Sequence, residues 1–272
     1  LNRIHEFRLP IEWFYDLDLT RLIKIKHRHM PGSYMREVMA DSPSAYWRFG
    51  EKIGTTAYDE TTNALNGTYT GGYTLDQPGA LTGDRDRAVL LNGSTGYVTV
   101  TDNTLLDPGD TFTLEAWVKL TSSTGNRDVF SKGTNGYLLY IQDGVLTLAK
   151  QGVGAIVAST STIAVNTWVH VAATKAAGTL KLYINSLDVT GAVTNQTIAA
   201  TATDLNIGRH TGAVEYFAGF IDDAVIYPTA ISATRIYVHY RAGQARYSPT
   251  SVARIVSLEP DFNPNRLDIL VR

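Results

Sequence analysis

The segment Phe217–Ile231, FAGFIDDAVIYPTAI, holds two adjacent carboxylates in an otherwise apolar run. It reads as a strand ending at Pro228. Side chains alternate along a strand, so Phe220, Asp222, Ala224 and Ile226 share one face. Ile221, Asp223, Val225 and Tyr227 share the other. At least one carboxylate is then partly buried, which is costly unless something pairs with it. A cation is one candidate partner.

Other patterns offer little catalytic chemistry. There is no Gly-x-Ser-x-Gly elbow and no His-Glu-x-x-His. His27 and His29 lack a third ligand nearby. The glycine-rich patches at 93–96 and 152–154 lack Lys-Ser/Thr and a following helix, so they read as turns. Glu115 is a lone acid on its strand, whereas glycoside hydrolysis needs two carboxyl groups roughly 5–10 Å apart. The chain has no cysteine, which excludes disulfides and thiolate metal sites.

The elements that must position these residues are mostly strands. Across 272 residues the chain is 44% hydrophobic and 18% charged, a globular composition. A net charge of −2 gives no global field for nucleic acid. No apolar run approaches the roughly 20 residues of a transmembrane helix, so no membrane insertion is expected. The chain opens on Leu1, not Met, and is expected to be a piece of a longer protein.

Three zones differ in texture. Residues 1–40 are rich in charge and aromatics; Leu22–Lys26 alternates as a strand, beside a basic cluster of Lys24, Lys26, His27, Arg28 and His29. Residues 41–243 alternate short strand-like runs with Gly, Asn, Asp and Thr turns, about one strand per 8–12 residues, the pattern of an all-β sandwich or barrel. Asp143-Gly144 marks a hairpin there. Ser232–Ala242 is its one convincing helix, with Ser232 as cap and Gly243 as terminator. Residues 244–272 read as two strands around a Pro/Asn turn at Asp261–Asn265. Neither flank can bury a core alone, so the two are expected to pair as short β segments of a split domain, with the middle zone inserted between them.

The middle zone resembles the laminin-G-like, concanavalin-A-like jelly-roll domains found in phage virion proteins and bacterial secreted proteins. The resemblance runs through SPSAYWRFGE (42–51), AVLLNGSTGYVTV, TFTLEAWVKL, TWVHVAAT, LKLYINS, LNIGRH and FAGFIDDAVIYPTAIS in family order. Asn185-Ser186 departs from the family's usual Asp-Gly, and Thr62 from its frequent Gly. The fold implied is a two-sheet antiparallel jelly-roll sandwich, which agrees with the strand count. Hydrolases sharing this jelly roll carry a Glu-x-Asp-x-Glu strand, which is missing here, so the resemblance implies a protein that is not an enzyme.

The resemblance also implies a structural calcium, with Asp59, Asn63 and Asp222 at the matching positions. Calcium takes about six to eight oxygens, which loop carbonyls and carboxylates supply. Asp223 is left to face solvent or a backbone amide. Trp47, Trp117 and Trp168 fall at core positions. Tyr137, Tyr140, His210 and Tyr216 fall near loops and are the candidate sugar-binding residues.

The function expected is a non-catalytic phage virion component of the tail, baseplate or fibre, contacting a host-surface glycan. Residues 1–40 and 244–272 would contact other virion subunits. The alternatives are a secreted or surface bacterial carbohydrate-binding module, placing the protein outside the cell or on its surface, and a purely structural decoration domain.

Overall fold

A strand with one apolar face must bury it against a second layer, and here two antiparallel sheets do so. The computed structural model describes residues 5–8, 34–244, 255–258 and 268–271. The chain divides into two units: Leu1–Met30 with Tyr247–Arg272, and Pro31–Arg246.

In the smaller unit, His5–Arg8 runs antiparallel to Asp268–Val271, with His5 opposite Val271. The other edge of Asp268–Val271 pairs antiparallel with Ile255–Leu258. Strands from both ends of the chain therefore share one three-stranded sheet. The expected strand Leu22–Lys26, its basic cluster and the Asp261–Asn265 turn lie outside the described residues.

The larger unit holds a nine-stranded and an eight-stranded sheet. The middle of the nine-stranded sheet runs Tyr137–Gln142, Asn126–Ser131, Leu205–Ile207, Tyr97–Val100. The middle of the other runs Val169–Ala176, Thr111–Leu120, Ala218–Tyr227, Arg87–Asn92. The main core combines side chains of both sheets, including Trp47, Phe112, Phe130, Leu139, Val171 and Ile226. The hairpin at Asp143-Gly144 forms as expected: both residues have positive φ (50° and 85°), the twist a tight hairpin needs.

A second apolar cluster covers the other face of the eight-stranded sheet. Helices α1 (Tyr34–Ala40) and α2 (Ala233–Gln244) supply Tyr34, Val38 and Ile236 to it, against Trp117, Val225 and Tyr227. The sequence reading had no helix at Tyr34–Ala40 and drew a boundary at residue 40; the division falls between Met30 and Pro31, and α1 belongs with the sandwich. Ser232 caps α2, its Oγ accepting the Arg235 N–H at 3.3 Å. Gly243 does not terminate α2 but lies within it. A Cβ there would stand 2.5 Å from Trp117 Cζ2, so the glycine lets the helix approach the indole. Trp47 and Trp117 are fully buried, while Trp168 is half-buried, edge-on to Phe220.

The Asp222-Asp223 strand breaks the alternation the sequence suggests. Asp222 opposes Trp117, but the next pair is Val225 with Glu115. Asp223 and Ala224 thus oppose one residue, a bulge, and Asp223 takes a left-handed φ of 48°. The bulge flips the phase of the strand: Ile221, Ala224 and Ile226 enter the main core, while Val225 and Tyr227 enter the second cluster.

Candidate functional site

The bulge brings both aspartates to one place. Asp86, Asp222 and Asp223 each offer a carboxylate oxygen, all within 4.8 Å of one another. Asp222 and Asp223 are fully buried. Asp222 Oδ2 accepts the Ala80 N–H at 2.7 Å. A Cβ on Gly79 would stand 2.9 Å from the same oxygen, so the glycine permits this loop to pack so closely. Asp223 accepts hydrogen bonds from the Tyr46 hydroxyl and, at 3.3 Å, from Arg48 Nε. The expectation that Asp223 faces solvent or a backbone amide is corrected: the bulge turns it inward.

Arg48 is the cation of this cluster, 2.8 Å from Asp84, 2.8 Å from Asp86 and 3.3 Å from Asp223. Asp222 forms no ion pair among the described residues, and Asp222 Oδ1 and Asp223 Oδ2 have no hydrogen-bond partner. Burial, then the Asp223 charge, pushes Asp86 up to about 7 and Asp222 well above the ordinary carboxylate range. Burial raises Asp223 to about 6 despite Arg48. Excess negative charge, unpartnered oxygens and an all-oxygen donor set fit a calcium ion.

Asp59 and Asn63 are engaged elsewhere. Asp59 accepts from Tyr46 N–H (2.9 Å), Thr61 N–H (2.9 Å), Thr61 Oγ1 (2.8 Å) and Leu65 N–H (2.9 Å). Asn63 Nδ2 donates to Ser44 O at 2.9 Å. Among the described residues no hydrogen bond joins this loop to Asp222. The carboxylates that gather around Asp222 are Asp86 and Asp223 rather than the expected Asp59, whose oxygens are taken by Tyr46, Thr61 and Leu65.

A different set of residues gathers on the outer face of the nine-stranded sheet. Val98, Val100, Leu205 and Ile207 point into the core, which turns Tyr97, Thr99 and Asn206 outward. Arg209 stacks 3.6 Å over the Tyr97 ring and donates to Asn206 Oδ1 at 3.3 Å. Tyr216 meets Tyr97 edge-on at 6.3 Å. Tyr140 opposes Asp128 across the strands, and Asp128 clusters with His210 and Glu215. Tyr140, His210 and Tyr216 thus line one partly exposed stretch of this face. Tyr137 does not. It is 1% exposed, packs on Phe112 in the core and donates to Leu106 O at 3.1 Å. It sits three positions from Tyr140 in a strand, hence on the opposite face.

Two buried polar centres had no reading in the sequence as pairs. Glu115, read there as a lone acid, accepts from Tyr34 OH at 2.8 Å and meets His170 Nε2 at 2.7 Å and His239 Nδ1 at 3.0 Å. Lys132, fully buried, holds Asp102 at 2.5 Å and donates to Thr201 O at 3.0 Å and Thr203 O at 2.7 Å. Both fasten separated parts of the chain; the Glu115 centre is fully buried, whereas Asp102 of the Lys132 centre is exposed. The signal available was a charged residue inside an apolar strand for Glu115, and directly after one for Lys132.

Known structures share the fold at low identity. Domain 4 of AbnA, an extracellular GH43 arabinanase from Geobacillus stearothermophilus solved with arabinotriose, superposes with a TM-score of 0.57 at 19% identity, covering 74% of this chain and 98% of that one. Trypanosoma rangeli sialidase in complex with sialic acid gives 0.54 at 14%, covering 72% of this chain and 32% of the sialidase. The receptor binding domain of botulinum neurotoxin C/D mosaic serotype gives 0.55 at 18%, covering 74% and 51%. No curated protein matches the chain. Residues 92–237 match the family model described as the concanavalin A-like lectin/glucanases superfamily, which is more than half of the sequence. The chain belongs to that superfamily.

Proposed function

We propose that the protein is a non-catalytic glycan-binding module whose ligand lies on the outer face of the nine-stranded sheet, around Tyr140, Tyr97, Tyr216 and Arg209. The observation that carries this reading is the Tyr97–Tyr216 pair with the Arg209 guanidinium stacked on Tyr97, on the same partly exposed face as Tyr140. Aromatic faces take the apolar side of a sugar ring, and the polar groups beside them fix its hydroxyls. The arabinanase domain, solved with arabinotriose, lends support. No catalytic role is part of the proposal: Asp128 is fully buried, and Glu115 is enclosed by two histidines and a tyrosine. Binding to a panel of bacterial surface polysaccharides, with turnover followed in parallel, tests both halves.

The setting proposed is a phage tail, baseplate or fibre, with the sandwich displayed towards a host-surface glycan. Support comes from the SPSAYWRFGE resemblance and from the pairing of His5–Arg8 with Asp268–Val271, which suits a module inserted into another domain. A structural calcium belongs to the same proposal, held by Asp86, Asp222 and Asp223. It would neutralise the buried acids and pin the Ala80 loop to the sheet.

A further inference from the structure

Asp128 stands in the middle of the strand Asn126–Ser131, opposite Tyr140, and is fully buried. Among the described residues neither of its carboxylate oxygens has a hydrogen-bond partner. Among the described residues no lysine or arginine pairs with it: Arg127 turns to Asn126 O and Arg209 to Tyr97. Such a group is costly unless it is neutralised.

Two side chains from the loop after Ile207 face it. Asp128, His210 and Glu215 each present one ligand atom, all within 4.8 Å of one another. Their exposure is graded from Asp128, buried, through His210 to Glu215, exposed, so the group opens to solvent on one side. Asn126 Nδ2 donates to Glu215 Oε1 at 2.6 Å and holds that carboxylate in place. The loop closes on itself through Ala213 N–H to His210 O at 3.0 Å.

We propose that Asp128, His210 and Glu215 are the three protein ligands of a zinc-class divalent metal, with a further coordination position open to solvent. An imidazole beside two carboxylates suits a borderline ion, whereas calcium takes oxygen alone. This acidic group is separate from the Asp86–Asp222–Asp223 cluster, and the inference does not depend on glycan binding. His210 Nδ1 accepts the Gly212 N–H at 3.0 Å, so in the metal-free protein the ring proton sits on Nε2. Coordination through Nδ1 displaces the Gly212 N–H directly, and coordination through Nε2 moves the ring proton to Nδ1 with the same result. Loading the site therefore reshapes the turn that also carries Tyr216.

The test titrates the full chain with zinc chloride, following heat and thermal unfolding, for the wild type, D128N and H210Q. The wild type should bind one zinc and gain thermal stability. Both variants should lose affinity on the order of a hundredfold. Metal-free D128N should be at least as stable as metal-free wild type, because the unpaired buried charge is gone; this separates loss of a ligand from loss of folding. Absence of saturable zinc binding, or a zinc-induced stabilisation that survives in D128N and H210Q, overturns the assignment.

Discussion

Asp222 and Asp223 are consecutive in a strand, yet their carboxylates meet in one buried cluster, because a bulge at Asp223 replaces the alternation that would have separated them. The arrangement concentrates negative charge against Arg48, the one cation paired with it among the described residues, and its consequences are measurable.

Calcium should stabilise the protein. An ion that binds only the folded state at a hundred times its dissociation constant adds about 2.7 kcal/mol. Thermal unfolding with calcium chloride and after chelation reads this. In D222N the calcium-induced rise should vanish, while the ion-free protein keeps or gains stability. An unchanged melting temperature in the wild type counts against the site.

The ion-free protein should grow more stable on mild acidification. Asp86 at about 7 and Asp223 at about 6 lie above the ordinary value of 3.8, so the folded state holds protons that the unfolded chain has released. Their stabilising effect is complete below the unfolded value and is lost as pH rises from about 4 to about 7. Each proton so held gives a slope of about 1.4 kcal/mol per pH unit. Denaturant melts between pH 5.5 and 7.5 should show the decline, and D86N should flatten it. Saturating calcium should flatten it as well.

Glu115→Gln should be among the most damaging single changes. Burial alone would raise the Glu115 carboxyl, but the His239 and His170 imidazoles hold it far below its usual range. His239 is itself raised: burial opposes its charge, and Glu115 outweighs that. Its Nδ1 faces Glu115 and its Nε2 faces Asp41 at 2.9 Å, two acceptors that suit a doubly protonated ring. The His239 contribution is full below its unfolded value near 6.5 and fades as pH rises through the folded one. Removing the anion leaves the buried His239 cation with Asp41 as its remaining counter-charge, a cost of up to about 3–5 kcal/mol. Chemical denaturation at pH 6 measures it, and a loss smaller than about 1 kcal/mol would show the network to be incidental.

Much of this fold was legible in the sequence. Strand spacing, the Asp143-Gly144 turn, the Ser232 cap and the run of family motifs all led to the sandwich. What escaped notice depends on events the period-two rule omits. A bulge needs one extra residue in the ladder, and nothing in FAGFIDDAV marks where it falls. Tyr137 was assigned by its nearness to a loop, although its parity with Leu139 and Ile141 already placed it in the core. Asp128 was visible as an acid beside Val129 and Phe130. Its partners His210 and Glu215 are more than eighty residues away in sequence, and only the folded sheet joins them. Asp59 shows the converse: an aspartate whose oxygens are taken by Tyr46, Thr61 and Leu65 looks in sequence like a metal ligand.

The central claim is tested most directly by titrating wild type, Y140A and Y216A against bacterial surface polysaccharides. The account predicts saturable binding to at least one polysaccharide, no turnover, and a loss of roughly tenfold or more in each variant at unchanged thermal stability. Absence of binding across the panel, or binding that both variants retain in full, would contradict it.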